Sequence, residues 1–302
     1  MSIIIHDGAI CDTHVHTRKS DGTFEPREIL TAAKGKLKTL IFADHDTARG
    51  YDENAVLHEW HKIDLIPGVE LSAAEYKYYH ILGYGMDKRA EMEAQLSARI
   101  TSDELQMVRI LKAMRDQFGV RLTDEFIDSI MVSGSPNRGE VASKLAKQGF
   151  MQDSRTAYDK MVEVSEKTGI HLLTPTMEDN MSLINRDGGI TCWAHPKSTK
   201  CRDTHKRIWY NQKEFETVLA SLVDSGLDAI EGNSPGLKAK DRDRMAWYAK
   251  NFGLLNLGGT DFHGDGNYNR NNYVGNPFIK QDTIEELKDR IHRRYKENEV
   301  IR

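Results

Sequence analysis

Cysteine is scarce in this 302-residue chain. Cys11, Cys192 and Cys201 are few, odd in number and never spaced Cys-x-x-Cys. That speaks against a disulfide framework and a thiolate zinc site, and fits a reducing cytoplasm. Long apolar runs are missing too. No stretch reaches the roughly 18 apolar residues that a transmembrane helix needs. The opening MSIIIHDGAI has no basic flank and only a short apolar run, so it does not read as a signal peptide. Basic charge is not in excess: 42 Lys and Arg against 46 Asp and Glu leave a net charge of −4. That removes the electrostatic reason to expect long nucleic acid as a partner. Repeats and low-complexity segments are absent as well. What is left is the composition of a globular protein, 39% hydrophobic and 29% charged.

Short apolar runs alternate with helical stretches along the first part. Residues 9–12, 37–43, 63–69 and 79–83 read as strands, and 26–36 and 51–62 as helices. From about residue 88 to 169 the strand signal fades. There 92–118, 139–148 and 155–167 carry helical spacing. The earlier rhythm then resumes, with strands at 190–194, 227–231 and 254–258 and helices at 178–186, 214–225, 241–251 and 283–295. Such alternation predicts parallel strands covered by helices, an α/β fold of barrel type interrupted by a helical insertion. The divisions are 1–87 for the first part of the barrel, 88–174 for the insertion and 175–302 for the second part.

The polar residues fall in a pattern on this frame. His14 and His16 follow the first strand in CDTHVHT, and His45 follows the second in ADHDT. Glu70 follows the third in PGVELS, and His80 lies at or just before the fourth. His195 follows the fifth in WAHPK, Asn233 the sixth in IEGNS, and Asp261 and His263 the seventh in GGTDFHG. The carboxyl ends of strands are where barrel active sites are built. Residues i and i+2 of a strand share a face, so His14 and His16 can grip one ion, and Asp261 and His263 share a side. Imidazole and carboxylate donors without sulfur suit zinc, manganese or iron.

The stretches DTHVHTRKSDGT (12–23), IFADHDT (41–47), IPGVELS (66–72), YHILGYG (79–85), GGITCWAHP (188–196) and GGTDFHG (258–264) resemble, in order, the motifs of the PHP (polymerase and histidinol phosphatase) family of metal-dependent phosphoesterases. The resemblance implies a distorted (β/α)7 barrel with an inserted, mainly helical domain, and two or three divalent metals. One would be held by His14, His16, Glu70 and Asp261. A second would share Glu70 and add His80 and His195. A third would be held by Asp21, His45 and His263. The implied chemistry is metal-assisted hydrolysis, in which a water deprotonated between the first two ions attacks phosphorus. His195 could assist the leaving group. Asp12, Asp44 and Asp46 are candidates to orient ligand histidines, with loop hydrogen bonding as the alternative for each.

In the family a Gly-Arg-Pro-His stretch opens a helix over the metals, so the insertion reads as a substrate cap. Here the matching stretch is NRGE (137–140). Arg138 is retained and suits a bidentate phosphate clamp. Glu140 stands where the family has histidine. Lys197 and Asn233 are further candidate substrate contacts. The expected substrate is a small phosphorylated metabolite: a nucleotide, as mono- or 3′,5′-bisphosphate, or a cyclic or sugar phosphate. The alternatives are a 3′–5′ exonuclease on short oligonucleotides, a metal-dependent C–N hydrolase and a non-catalytic metal-binding module. No membrane partner is expected, and the oligomeric state is not legible.

Overall fold

Runs such as Thr39–Phe42 (TLIF) and Ile190–Trp193 (ITCW) carry no polar face, and every residue in them is buried. Strands covered on both sides require that composition. The computed structural model describes residues 2–52, 62–73, 79–87, 89–130, 138–172, 175–197, 211–264 and 273–300. Its strands are β1 (Ile4–Ile5), β2 (Cys11–Val15), β3 (Thr39–Phe42), β4 (Asp64–Ser72), β5 (His80–Tyr84), β6 (Ile190–Trp193), β7 (Ala229–Glu231), β8 (Leu255–Leu257) and β9 (Tyr273–Val274). Among the described residues, β2 to β8 form one 7-stranded sheet in chain order, curled into a half-barrel. Its two edges meet where the segment after β8 lies on β2. Asp261 N donates to His14 O and His16 N to Phe262 O, each at 2.9 Å. The small parallel pair β1–β9 was not legible in the sequence.

The expected all-parallel sheet is corrected at β5, which runs antiparallel to both β4 and β6. The reason is chain length. Only residues 73–79 link β4 to β5, and a parallel return needs about a dozen. The reversal matters for the site, because it sets the start of β5 beside the carboxyl ends of its neighbours. His80 therefore pairs with Ser72, two residues past Glu70. A second correction concerns β2, which begins later than expected and runs to Val15, so that His14 lies inside it. Asp12, Thr13 and His14 are polar yet fully buried. That polarity makes the stretch look like a loop end in sequence. The β2–β3 register shifts between Asp12 and Val15, a local irregularity of the kind that re-aims side chains near functional sites.

The flanking helices follow from local signals. Pro26–Ala33 opens with proline in its first turn and a capping box between Glu25 and Glu28. Met177–Arg186 opens with the Thr176–Asp179 box and buries Met177, Met181 and Ile184. Gln212–Asp224, Ala239–Phe252 and Gln281–Val300 complete this unit, which comprises residues 1–93 and 175–302. Of the helix expected over 51–62, the structure describes only its beginning, in Arg49–Asp52; residues 53–61 lie outside the described residues.

Residues 94–174 form a second compact unit. It contains most of Arg89–Asp116, together with Asp124–Ile130, Arg138–Lys147 and Ser154–Thr168. Met107, Ile110, Met114, Phe126, Leu145 and Met161 belong to its own buried core. The helix Asp124–Ile130 was not foreseen, being a bare two turns. Among the described residues, no helix is long and apolar enough to cross a membrane.

Candidate metal centre

Glu70, on β4, is the deepest acid of the site, its side chain 1% exposed. Its Oε2 stands 3.2 Å from His14 Nε2, 3.2 Å from His16 Nε2 and 3.3 Å from His45 Nδ1. The His14 and His16 nitrogens are 3.0 Å apart, and Asp261 Oδ1 lies 3.5 and 3.3 Å from them. Donors bound at about 2.1 Å to one ion stand about 3.0 Å apart across an octahedral edge and about 3.4 Å across a tetrahedral one. The observed spacings fall around those two values. The other oxygen, Oε1, stands 2.8 Å from both His80 Nδ1 and His195 Nε2, which are 3.2 Å from each other. A third group gathers on Asp21. Its Oδ1 is 3.3 Å from His263 Nε2 and 3.3 Å from His16 Nδ1, and its Oδ2 is 3.9 Å from His45 Nε2. His16 and His45 thus turn one ring nitrogen toward Glu70 and the other toward Asp21.

The donor set fits cations better than it fits itself. Glu70 Oε2, His16 Nδ1 and His45 Nδ1 are buried and make no hydrogen bond of good geometry, although polar atoms crowd each of them. A buried polar atom left unpaired is costly, and a cation among converging donors removes that cost. Among the described residues, several such His, Asp and Glu groups interlock, the arrangement of a multi-metal site. Its backbone is also strained. His195 has φ 28° and Asp261 φ 55°, both in the left-handed region that non-glycine residues avoid. Such strain costs on the order of 1–3 kcal/mol per residue, and here it aims two donors into the cluster.

Electrostatics show what the carboxylates do. Burial opposes protonation of His14, but Glu70, Glu231 and Asp261 outweigh it and hold the imidazole well above its usual range. His16 is raised in the same way, against burial, by Asp21, Asp261 and Glu70. Burial wins at His45 and pushes it down to about 4, despite Glu70 and Asp21. Burial would neutralise Glu70, yet His14, His80 and His45 keep its carboxyl far below the usual range. The acid is therefore ionised and ready to hold positive charge.

The three acids considered as orienting groups all accept hydrogen bonds from loop or strand donors. Asp12 accepts from Thr260 Oγ1 at 2.6 Å, from Thr260 N and Gly275 N, and from the backbone of His14. Asp44 accepts from Thr17 N, Thr17 Oγ1 and Ser20 Oγ and so holds the 17–20 turn. Asp46 accepts from Ser72 N. The carboxylate that does reach a cluster histidine is Glu231, at the end of β7, which the sequence reading passed over. His14 Nδ1 lies 3.2 Å from both its oxygens. Its only sequence signal was an acid closing the apolar run LDAIE.

The remaining candidates make contacts of their own. Lys197 Nζ pairs with Asp241 Oδ2 at 2.6 Å. Asn233 Nδ2 donates to Asn256 O at 2.9 Å. Arg138 opens its helix inside the second unit and donates to Ser165 Oγ at 3.1 Å. That hydroxyl donates to Ile170 O and lies 3.2 Å from His171 Nδ1. Trp193 packs between Tyr79 and Phe215 in the wall of the sheet unit. Tyr76, Lys77 and Tyr78, which precede Tyr79 in an aromatic run, lie outside the described residues, as do His58, His61 and His205.

No protein-family model matches the chain. It is 26% identical over 260 residues to a 3′,5′-nucleoside bisphosphate phosphatase of Chromobacterium violaceum, covering 84% of this chain and 87% of that protein. It is also 26% identical over 267 residues to a 5′-3′ exoribonuclease of Haemophilus influenzae, covering 83% and 89%. Among solved structures, a protein of Bifidobacterium adolescentis described as a metal-dependent phosphoesterase shares the fold, with a TM-score of 0.68 at 24% identity over 93% of this chain and 96% of that one. The chain thus has a PHP-like fold and is homologous to 3′,5′-nucleoside bisphosphate phosphatase and related phosphoesterases.

Proposed function

We propose that this enzyme removes a phosphate from a small nucleotide, a 3′,5′-bisphosphate or a monophosphate, using two or three divalent ions of zinc, manganese or iron. The observation that carries the reading is the sharing of Glu70 by two donor groups in a cluster that is sealed at one side and open at the other. The His14 and His16 side chains are fully buried, whereas Asp21 is 46% and Asp261 28% exposed. Among the described residues, that exposed side is where a phosphate can approach. The name of the Chromobacterium relative supports a nucleoside bisphosphate as the substrate class.

Bound cations would bring the pKa of water toward neutrality and draw charge from the phosphoryl oxygens. The chain's own groups do the rest. His14, His16, Glu70 and Asp261 hold the first site, and His80 and His195 hold the second against Glu70. Asp21, His45 and His263 hold the third. His195, with Nε2 among these donors, serves as a ligand in this reading and not as the proton donor to the leaving group. Arg138, on the helical unit, is kept as a proposed phosphate contact on the strength of the motif resemblance and of guanidinium chemistry. Lys197 is spent on Asp241 and is left out.

The test is a panel of nucleoside monophosphates, 3′,5′-bisphosphates, cyclic phosphates and short oligonucleotides, assayed with the metals supplied. Turnover is expected on a nucleotide and is lost in His14→Ala. Arg138→Ala should lower kcat/KM by roughly 10–100-fold, the loss of one charge-assisted bidentate contact, at unchanged metal content. No hydrolysis of any phosphate ester by the metal-loaded protein would sink the proposal. The Haemophilus relative favours a second reading, a nuclease on short oligoribonucleotides. That relative's polarity is 5′-3′, opposite to the 3′–5′ direction expected from the sequence. Oligonucleotides blocked at one end or the other would separate the two polarities.

A further inference from the structure

We infer that Glu231 is the positioning residue of this centre, fixing the tautomer of His14 and tying the first donor group to the second. The inference rests on the metal-site reading but not on the choice of substrate. Four contacts carry it. His14 Nδ1 lies 3.2 Å from each oxygen of Glu231. Oε1 also accepts from Gly259 N at 2.8 Å, and Oε2 accepts from His195 N at 2.8 Å. The side chain is 1% exposed, which shields these contacts from bulk solvent.

Both Glu231 oxygens already accept from backbone N–H groups, so the ring nitrogen that faces them meets acceptors. The proton of neutral His14 is therefore held on Nδ1, and the lone pair is left on Nε2, the atom that faces Glu70, His16 and Asp261. The same carboxylate makes the imidazole a stronger donor to a cation. Its second oxygen works on the other group. It pins the backbone N–H of His195, a residue held at φ 28°, and so places Nε2 of that ring 2.8 Å from Glu70 Oε1. The bond to Gly259 anchors the start of the segment that carries Asp261. One side chain on β7 thus sets donors that arise on β2, after β6 and after β8.

Glu231→Gln tests this directly. An amide has only one acceptor oxygen, and its NH2 would face a backbone N–H donor. The probe is zinc or manganese alone, titrated into the metal-free wild type and variant. The variant should bind the first ion about 10–100-fold more weakly. A readout independent of activity is 15N NMR of histidine-labelled, zinc-loaded wild type, in which His14 should carry its proton on Nδ1 in slow exchange. Loss of that signal in Glu231→Gln supports the inference. A wild-type His14 protonated on Nε2, or a variant with unchanged affinity and unchanged signal, overturns it. The wild-type spectrum decides the matter even if the variant does not fold. A wild type that takes up no metal defeats the metal-site reading itself, a result distinguishable from the other two.

Discussion

Gly259 shows how little room the centre leaves a single residue. A Cβ there would overlap the backbone nitrogen and the Cβ of His14. Neither atom can give way without moving a cluster donor, so Gly259→Ala is expected to cost about 2–4 kcal/mol and to lower metal retention. Thermal melts paired with metal analysis of the purified variant check both. The raised imidazoles make a second prediction at this scale. Without metal, Glu70 and its neighbouring acids hold protons on His14 and His16, and an incoming cation must displace them. Because those pKa values lie above the ordinary range, the competition grows as pH falls, and metal affinity should fall with it. Calorimetric titration in two buffers of different ionisation enthalpy should report net proton release, and no release would contradict the assignment. The residue types of this site were legible early, since His14, His16, His45 and Glu70 stand beside predicted strands. Glu231 was not, because its meaning lies in a contact 217 residues away.

At the scale of elements, β5 is the instructive case. Its pattern of Tyr79 to Gly83 marks a strand, but not a direction. The seven-residue link from β4 forces the reversal, and the reversal carries His80 to the ligand end. Helix starts are more local and were read more easily. The box formed by Thr176 and Asp179 is made within four residues and satisfies backbone donors that would otherwise be orphaned. Thr176→Ala should therefore cost about 1 kcal/mol of stability while leaving metal stoichiometry and kcat unchanged. Denaturant melts of the metal-loaded protein measure the first and assays the second. A change in stoichiometry would mean that this helix holds the site more directly than its capping suggests.

At the scale of the molecule, every donor of the proposed centre belongs to the unit of residues 1–93 and 175–302, and the helical unit has a separate core. Ligands that bind only the folded form stabilise it by mass action, about 2.7 kcal/mol at a hundredfold excess over Kd. A chelator should consequently lower the unfolding temperature of the sheet unit by several degrees. The helical unit, whose packing of Met107, Phe126 and Met161 involves no such donor, should be affected less. Calorimetry with and without chelator checks this, and a shift confined to the helical unit would contradict the placement of the metals. What the sequence alone determined is the chemistry available at each strand end, because apolar runs and the polar residues that close them are local properties of the chain. Only the tertiary structure decided which nitrogen meets which oxygen, the direction of β5 and the joining role of Glu231. Those depend on strand pairing between distant segments, where backbone hydrogen bonds and burial act together and no local pattern records the result.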